Sequence, residues 1–263
     1  MTAFKDHKLS SRTKVLMIAD NGAGKTGLLA TLANAGHKLR VLDFDNGLDV
    51  LASYLTPKGV ENVIFETLSD DIANSAATAY MRARTLIYNG WKTESDGDLG
   101  HITKWGPDTT LVIDTLSGLS DACLRDVLKK NGKRPQDNPA QADWGTAQRE
   151  ITNLLTYVLG DAVKCNVVVN THPVLITDES DITRMYPNSC GRGLSTRVGT
   201  FFNNVFRIDV KPDGKRVIRT QADHRTTLKS AAPTVLAKEE AFDLAAVFDK
   251  IQGQAKTKLE TKE

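Results

Sequence analysis

Short apolar runs alternate along the chain with stretches whose apolar residues recur three or four positions apart. The runs are nearly unbroken and rich in Val, Ile and Leu, which is typical of strands buried on both faces of a parallel sheet. The recurring spacing between them predicts amphipathic helices. The predicted strands lie at 15–18, 38–45, 63–68, 109–114 and 166–172, and the predicted helices lie at 25–34, 69–87, 117–130, 151–163, 194–204 and 239–251.

Strands and helices alternate through the fifth predicted strand, and two later strands then flank the turn Pro212-Asp-Gly214. The alternation predicts an α/β fold with a mostly parallel central sheet flanked by helices, and the turn predicts an antiparallel hairpin at one edge. We expect residues 13–252 to form a single domain. Residues 1–12 are predicted to be a flexible lead-in and residues 253–263 a disordered tail.

The first predicted strand runs into a glycine-containing loop and then into the first predicted helix. The sequence from Ala19 to Thr26 matches the Walker A pattern G-x-x-x-x-G-K-[ST], except that Ala19 stands at the first glycine. Glycines let backbone N–H groups turn towards phosphate oxygens, and the helix N-terminus adds its positive end. Lys25 is expected to reach the β- and γ-phosphates, and Thr26 to bind Mg²⁺. The predicted nucleotide-binding residues are Asp20, Asn21, Gly22, Ala23, Gly24, Lys25, Thr26 and Gly27.

Two carboxylates end predicted strands near this loop. Asp114 closes the fourth strand in the Walker B pattern, and a carboxylate there can hold Mg²⁺ together with Thr26. Asp45 closes the second strand, which we expect to neighbour the first, and it is the candidate base for the attacking water. The alternatives are that Asp114 merely leaves its strand at a turn and that Asp45 caps a helix.

Two further positions are candidates for control of hydrolysis. The fifth strand ends in Asn170-Thr-His172, where a polar side chain can sense the γ-phosphate and signal its presence to the following loop. The alternative is that His172 is only a loop residue.

Lys229 follows the hairpin. In ring or filament ATPases a basic residue of the next subunit offsets charge in the transition state, and Lys229 is a candidate for this role. The alternative is that Lys229 forms a surface salt bridge. The catalytic candidates are therefore Lys25, Asp45, Asp114, His172 and Lys229.

Charge is distributed unevenly along the 263 residues, whose net charge is +2. Residues 184–229 hold ten Lys and Arg against three Asp, a net +7 that leaves −5 for the rest. This basic block favours a polyanion partner, or else a solvated strand edge that carries Lys and Arg against aggregation. No apolar run approaches the ~20 residues of a membrane span, no secretory signal is visible, and the three cysteines match no metal-ligand spacing. We expect a reduced, cytoplasmic protein without a membrane partner.

The order of these motifs resembles the core of the RecA-type recombinases. It is more similar to the short, core-only RecA-like ATPases encoded by phages, some of which are single-strand annealing proteins of the Sak type. The resemblance covers roughly residues 12–230 and includes Gly191-Arg-Gly193, where the family has a Gly-Gly pair. It implies ATP and Mg²⁺ as cofactors, Asp45 as the catalytic acid that is Glu in RecA itself, and a homo-oligomer, ring or filament, in which Lys229 reaches the neighbouring nucleotide.

The resemblance also implies a mobile DNA-binding loop at 174–193, single-stranded DNA as the partner, and a single-strand DNA-binding protein as a further partner. We expect Arg184, Arg192 and Arg197 to contact phosphates and Tyr186 to stack on a base, since aromatic and basic groups together track a single strand. The predicted function is that of a DNA-stimulated ATPase that binds single-stranded DNA in phage recombination, annealing or replication, in the host cytoplasm.

Two other functions fit the same motifs. A small-molecule kinase shares the Walker A motif, but its lid would carry several arginines, whereas the basic block here follows the fifth strand. A nucleotide-regulated assembly protein with little turnover also fits, because Asp45 stands where RecA has Glu. Stimulation of hydrolysis by single-stranded DNA separates the kinase from the predicted function, and weak hydrolysis with nucleotide-dependent oligomerisation would indicate the assembly protein.

Overall fold

A computed structural model describes residues 12–93 and 96–260, and for 254–260 it describes the backbone alone. Within these residues the chain forms twelve strands and seven α-helices. The strands are β1 (Lys14–Ile18), β2 (Lys38–Asp43), β3 (Val63–Thr67), β4 (Lys92–Thr93), β5 (Gly97–Asp98), β6 (Thr109–Asp114), β7 (Asn166–Thr171), β8 (Pro173–Thr177), β9 (Thr183–Pro187), β10 (Asn204–Val210), β11 (Arg216–Arg219) and β12 (Glu239–Ala241). The helices are α1 (Lys25–Asn34), α2 (Pro57–Val60), α3 (Ala79–Asn89), α4 (Leu116–Lys130), α5 (Gln141–Val158), α6 (Gly191–Ser195) and α7 (Leu244–Glu260).

Eight strands form one sheet in the order β12-β11-β10-β1-β7-β6-β2-β3. The six strands from β10 to β3 run parallel, and β11 and β12 add antiparallel pairs at the β10 edge. The predicted α/β fold, with a mostly parallel sheet and an antiparallel edge hairpin, is therefore confirmed. Among the helices of the described ranges, none is both long enough and apolar enough to cross a membrane.

The strand order corrects the expectation that β2 neighbours β1. Strands β7 and β6 lie between them, so Asp45 reaches the site from two strands further away. The physical reason is burial on both faces. Every residue of β1, β6 and β7 is buried, whereas β2 has one exposed and one partly exposed residue and β3 has no buried residue, so the strands that can be buried on both faces take the centre of the sheet.

The two faces of the sheet carry separate layers of helices, each with its own apolar core. Along β1, Leu16 and Ile18 point to one face while Val15 and Met17 point to the other, as the two-residue period of a strand requires. Helices α3, α4 and α5 cover the first face, and α1 and α7 cover the second. The helices that begin after the site-bearing strands are thereby fixed against the sheet.

Four predicted helices have wrong boundaries. The helix predicted at 151–163 is α5, which begins at Gln141, where the Asp143 carboxylate accepts the backbone N–H of Ala140 at 2.7 Å, and ends at Val158. The helix predicted at 194–204 is α6 followed by a separate 3₁₀ segment, Val198–Phe201.

The other two wrong boundaries belong to α3 and α7. The helix expected to open at Ser69 begins at Ala79, because the Asp70 carboxylate accepts the backbone N–H groups of Thr78 (2.8 Å) and Ala79 (2.9 Å) and so satisfies the free donors at that helix end. The last helix begins at Leu244, after β12, and its backbone continues to Glu260 through a segment predicted to be a disordered tail. Six of the seven residues from 254 to 260, all except Thr257, are types with high helix propensity (Gln, Ala, Lys, Leu and Glu).

Residues 91–108, between α3 and β6, contain the β4–β5 hairpin. The loop expected at 174–193 is largely a second hairpin, in which β8 and β9 pair from Pro173 opposite Pro187 to Thr177 opposite Thr183. The Asp178 carboxylate closes its turn by accepting backbone N–H groups, so a polar stretch forms strands instead of an irregular loop. Residues 1–11 of the predicted lead-in lie outside the described residues.

The buried β1 strand predicts a large cost for truncation. Leu16→Ala should lower the free energy of unfolding by about 2–5 kcal/mol, since Leu16 is fully buried and its removal leaves a cavity in the core. Leu175→Ala removes the same atoms at a position that is 66% exposed and should change the free energy by less than about 0.5 kcal/mol. Urea unfolding of both variants measures the difference, and equal losses would contradict the assigned packing.

Candidate functional site

The loop between β1 and α1 has the conformation that an anion site needs. Gly22 (φ 73°) and Gly24 (φ 103°) adopt left-handed backbone angles, and the N–H of Ala23 closes a turn on the carbonyl of Asp20 at 3.2 Å. Gly24 caps α1 without a side-chain hydrogen bond, so the N–H groups of the first helical turn stay available to a ligand. Their positive helix end points towards the same place, which fits a phosphate group.

Lys25 lies across this loop. Its Nζ donates to the backbone carbonyls of Ala19 (3.0 Å) and Asp20 (3.2 Å), and the residue is only 7% exposed. Burial lowers the pKa of Lys25, while the carboxylates of Asp114 and Asp45 act in the opposite direction. The ammonium group is thus held over the loop by weak carbonyl contacts that a phosphate would replace with stronger charge-assisted bonds.

A buried carboxylate joins the loop to the central strands. Asp114, at the end of β6, is 2% exposed; its Oδ2 accepts the Thr26 hydroxyl at 2.8 Å and its Oδ1 accepts the Asn170 amide at 3.1 Å. Burial raises the pKa of Asp114 to about 6, although both hydrogen bonds oppose the rise. Hard oxygen donors beside a buried carboxylate that lacks a full counter-charge fit Mg²⁺, so Thr26 and Asp114 are the residues that would hold it.

A chain of hydrogen bonds continues from this cluster to His172. The Thr115 hydroxyl donates to Asp45 Oδ1 at 3.1 Å and lies 3.2 Å from the Ser117 hydroxyl, which in turn lies 2.9 Å from His172 Nδ1. His172 Nε2 is 3.9 Å from Asp45 Oδ2. Burial lowers the pKa of His172, and the nearby Lys25 ammonium lowers it further, so the imidazole is neutral at pH 7.

Two acids, Asp43 at the end of β2 and Asp45 just after it, differ in exposure, and Asp45 is the more exposed to solvent. Asp43 is buried and accepts the backbone N–H groups of Asp45 and Gly47, so Asp43 shapes the turn. The side chain of Asp45 is 36% exposed and lines a cavity of about 340 Å³. The helical segment Leu48–Ser53 has Gly47 at its N-cap and no side-chain cap, so the alternative that Asp45 caps it has no support among the described contacts.

Sequence reasoning missed several residues around the site. Thr115 and Ser117 follow the Walker B acid directly, and their polar character there was the available signal. Arg216 donates to the Tyr54 hydroxyl (3.2 Å) and to the carbonyl of Gly22 (3.4 Å), and its guanidinium lies 5.7 Å from the ring centre of Phe242. A Cβ on Gly24 would lie 2.9 Å from the Phe242 ring, so this close approach requires glycine. No local pattern links these residues to the loop.

The structure brings only part of the predicted DNA-binding set together. Arg184 and Tyr186 lie on β9, and Arg192, in α6, donates to the carbonyl of Thr177 on β8 at 2.9 Å, so these three border the β8–β9 hairpin. Arg184 is paired with Asp178 at 3.0 Å. Arg197 is exposed beyond α6, outside the hairpin.

The basic block is partly neutralised within the sheet edge. Arg207 and Arg219 both contact Asp209 at 2.8 Å, and Lys211 pairs with Glu239 at 2.6 Å. Lys229 donates to the carbonyl of Thr200 at 3.3 Å, beside the start of β10, and burial lowers its pKa. Lys229 therefore lies away from the phosphate loop of its own chain.

Three features define a P-loop nucleotide-binding domain with an α/β fold. They are the left-handed glycines, the buried Lys25, and the Thr26–Asp114 pair at the carboxyl ends of a parallel sheet. The chain belongs to the AAA domain family, whose model matches residues 11–231. It thus carries an AAA-type P-loop ATPase domain, which confirms the predicted P-loop ATPase; the AAA family itself is not among the sequence predictions. No curated protein matches the chain in sequence.

Several solved structures are similar to the chain at low identity. A prototypical ATPase from the type III secretion system of pathogenic bacteria is 15% identical with a TM-score of 0.46, over 75% of this chain and 52% of its own. The RadB recombinase is 14% identical with a TM-score of 0.44, over 83% and 84%. The ATPase EscN of enteropathogenic E. coli, solved with its central stalk EscO, is 10% identical with a TM-score of 0.48, over 83% and 49%. The chain spans about half the length of the two secretion ATPases.

The raised pKa of Asp114 predicts a pH-dependent effect of neutralising it. The native state binds this proton more tightly than the unfolded state, whose Asp pKa is about 3.9, so the free energy of unfolding falls as pH rises from about 4 to 6. Asp114→Asn removes that loss; its amide oxygen can still accept from Asn170, and its NH2 group can donate to the Thr26 hydroxyl, which reverses that bond. Without nucleotide, it should be more stable than the unaltered protein at pH 7.5, by up to about 3 kcal/mol, and nearly equal at pH 4.

Chemical unfolding of both proteins at the two pH values measures this effect. Glu179→Gln is the matched control, because it neutralises an exposed acid in the hairpin turn. A stability difference that is the same at pH 4 and pH 7.5 would show that Asp114 is not a destabilised buried charge.

Proposed function

We propose that this protein hydrolyses ATP with Mg²⁺ and that its nucleotide state controls binding of single-stranded DNA, in phage recombination, annealing or replication. The observation that carries the proposal is the contact of Thr26 and Asn170 with one buried carboxylate, Asp114, beside Lys25. This arrangement offers oxygen donors for a metal and a cation for phosphate oxygens within one water-poor site.

The residues of the site have separable tasks in this proposal. Lys25 and the N–H groups at the start of α1 bind the phosphates and offset their charge. Thr26 and Asp114 would hold the metal ion, which would neutralise charge on the phosphates when bound. Asp45 accepts the proton of the attacking water, and its exposure to the neighbouring cavity gives water access to it.

The hairpin is connected to the site at both of its ends. His172 directly precedes β8, and its carbonyl accepts the N–H of Asn188 at 2.8 Å, while the Thr171 hydroxyl donates to the Asn188 carbonyl at 2.6 Å. A displacement of His172 by the γ-phosphate would therefore move both ends of the β8–β9 hairpin together. This is how nucleotide would control the DNA-binding surface.

Assembly into a ring or filament belongs to the same proposal. Lys229 is far from its own phosphate loop, which fits a role at the nucleotide of a neighbouring copy. Large apolar side chains are exposed along the opposite sheet edge, including Phe65 on β3 at 52% and Val60 on α2 at 56%. A single-strand DNA-binding protein is the further partner that we propose.

Hydrolysis of ATP with and without single-stranded DNA tests the enzymatic part. Lys25→Ala should lower turnover by about 100-fold or more, because removing one donor that stabilises developing charge typically costs that much. Lys129→Ala, on the exposed face of α4, is the control and should leave turnover unchanged. DNA-stimulated turnover is expected for the unaltered protein. Bound ATP without stimulation would instead indicate a nucleotide switch in another assembly, and phosphorylation of a metabolite would indicate a kinase.

DNA affinity as a function of salt tests the binding part. Arg192→Ala and Arg197→Ala should each weaken binding and reduce the slope of log affinity against log salt by about 1, the effect of losing one phosphate contact. Arg134→Ala is the matched control, because Arg134 is exposed and lies in the α4–α5 connection, away from the hairpin. Unchanged affinity and slope in both Arg192→Ala and Arg197→Ala would contradict the assigned contacts.

A further inference from the structure

A cavity of about 510 Å³ lies between the β8–β9 hairpin and helices α4, α5 and α6. It is separate from the phosphate loop and falls within the size range of small-ligand sites, about 300–1,000 Å³. Strand β8 contributes one wall, from Val174 to Thr177, and the opposite walls come from Asp121, Trp144, Asn188 and Arg192. None of the roles assigned above uses Trp144 or Asn188 for binding.

Gly191 allows the close packing at one side of this cavity. A Cβ on Gly191 would lie 3.3 Å from the Trp144 ring, which is tighter than usual. Gly191 also has a left-handed backbone (φ 69°), which other residues rarely adopt. Glycine at this position thus lets α6 lie against α5, while the indole of Trp144 stays partly exposed as a flat wall.

The cavity lining combines one aromatic ring with side chains that accept hydrogen bonds, donate them, or do both. The Asp121 carboxylate accepts, the Arg192 guanidinium donates, and the Asn188 amide does both. A nucleobase presents the matching features, a π face and an edge of mixed donors and acceptors. A purely apolar peptide side chain would cover the Asp121 carboxylate and the Asn188 amide without offering either of them a hydrogen bond, which is costly.

We propose that this cavity receives one base of a bound single strand of DNA, with Trp144 as its stacking surface. The proposal rests on the proposed DNA binding and goes beyond it, because it names a base-binding site where the sequence predicts only phosphate contacts and Tyr186. Arg192 offsets the charge of Asp121 in the cavity lining, and the exposed Arg197, five residues further along the chain, adds a positive charge that suits the phosphates of a bound strand.

Tryptophan fluorescence provides a direct readout, because Trp91 is fully buried, Trp105 is 8% exposed and only Trp144 meets solvent appreciably. Oligo(dT) should quench the emission of the protein, and an abasic oligonucleotide of the same length should not. The quenching should disappear in Trp144→Phe. Trp144→Leu should weaken oligo(dT) binding by about 5- to 100-fold, the value of one stacked base, and leave binding of the abasic strand unchanged.

Each outcome distinguishes this proposal from the one on which it rests. Equal affinity for oligo(dT) and the abasic strand, or quenching that persists in Trp144→Phe, would overturn the base site while DNA binding itself stands. Binding of neither oligonucleotide would overturn both. Thermal melting of the two Trp144 variants, together with their affinity for the abasic strand, separates loss of stacking from loss of folding.

Discussion

The carboxylate of Asp114 is almost completely withdrawn from water, and the rest of the site depends on how the fold accommodates it. A buried charge is unfavourable unless hydrogen bonds and an opposite charge compensate it. Here the donors come from Thr26 on α1 and Asn170 on β7, so a single group fixes the phosphate loop, the Walker B strand and the neighbouring strand tip relative to each other. The raised pKa shows that this compensation is incomplete.

The strand order determines how the other functional groups are connected to the site. Because β6 and β7 lie between β1 and β2, Asp45 at the end of β2 is linked to His172 through the hydroxyl groups of Thr115 and Ser117. The same parallel arrangement puts His172 at the junction between the site and the β8–β9 hairpin. The proposed nucleotide site and the proposed DNA-binding surface are therefore only a few residues apart along the chain, although they lie on different elements.

Much of the fold follows from local patterns in the sequence. The apolar runs predicted the central strands, and the glycine spacing predicted the phosphate loop, because both depend on neighbouring residues only. The strand order was wrong for β2, since it depends on which strands can be buried on both faces. The start of α3 was missed because Asp70 caps it from eight residues away. Phe242 approaches Gly24 from the opposite end of the chain, and no sequence pattern predicts such a contact.

Strand β7 contributes Asn170 to the site and passes, after His172, into β8 at Pro173. Successive side chains of a strand point to opposite faces, so one inserted residue in this short junction would turn Asn170 or His172 away from its partner. The turn from Asp178 to Ile182 at the far end of the hairpin is mostly exposed and carries no residue of the site. For protein engineering, the turn is therefore the place to attach a fluorescent label that follows the hairpin, and the junction is the place to leave intact.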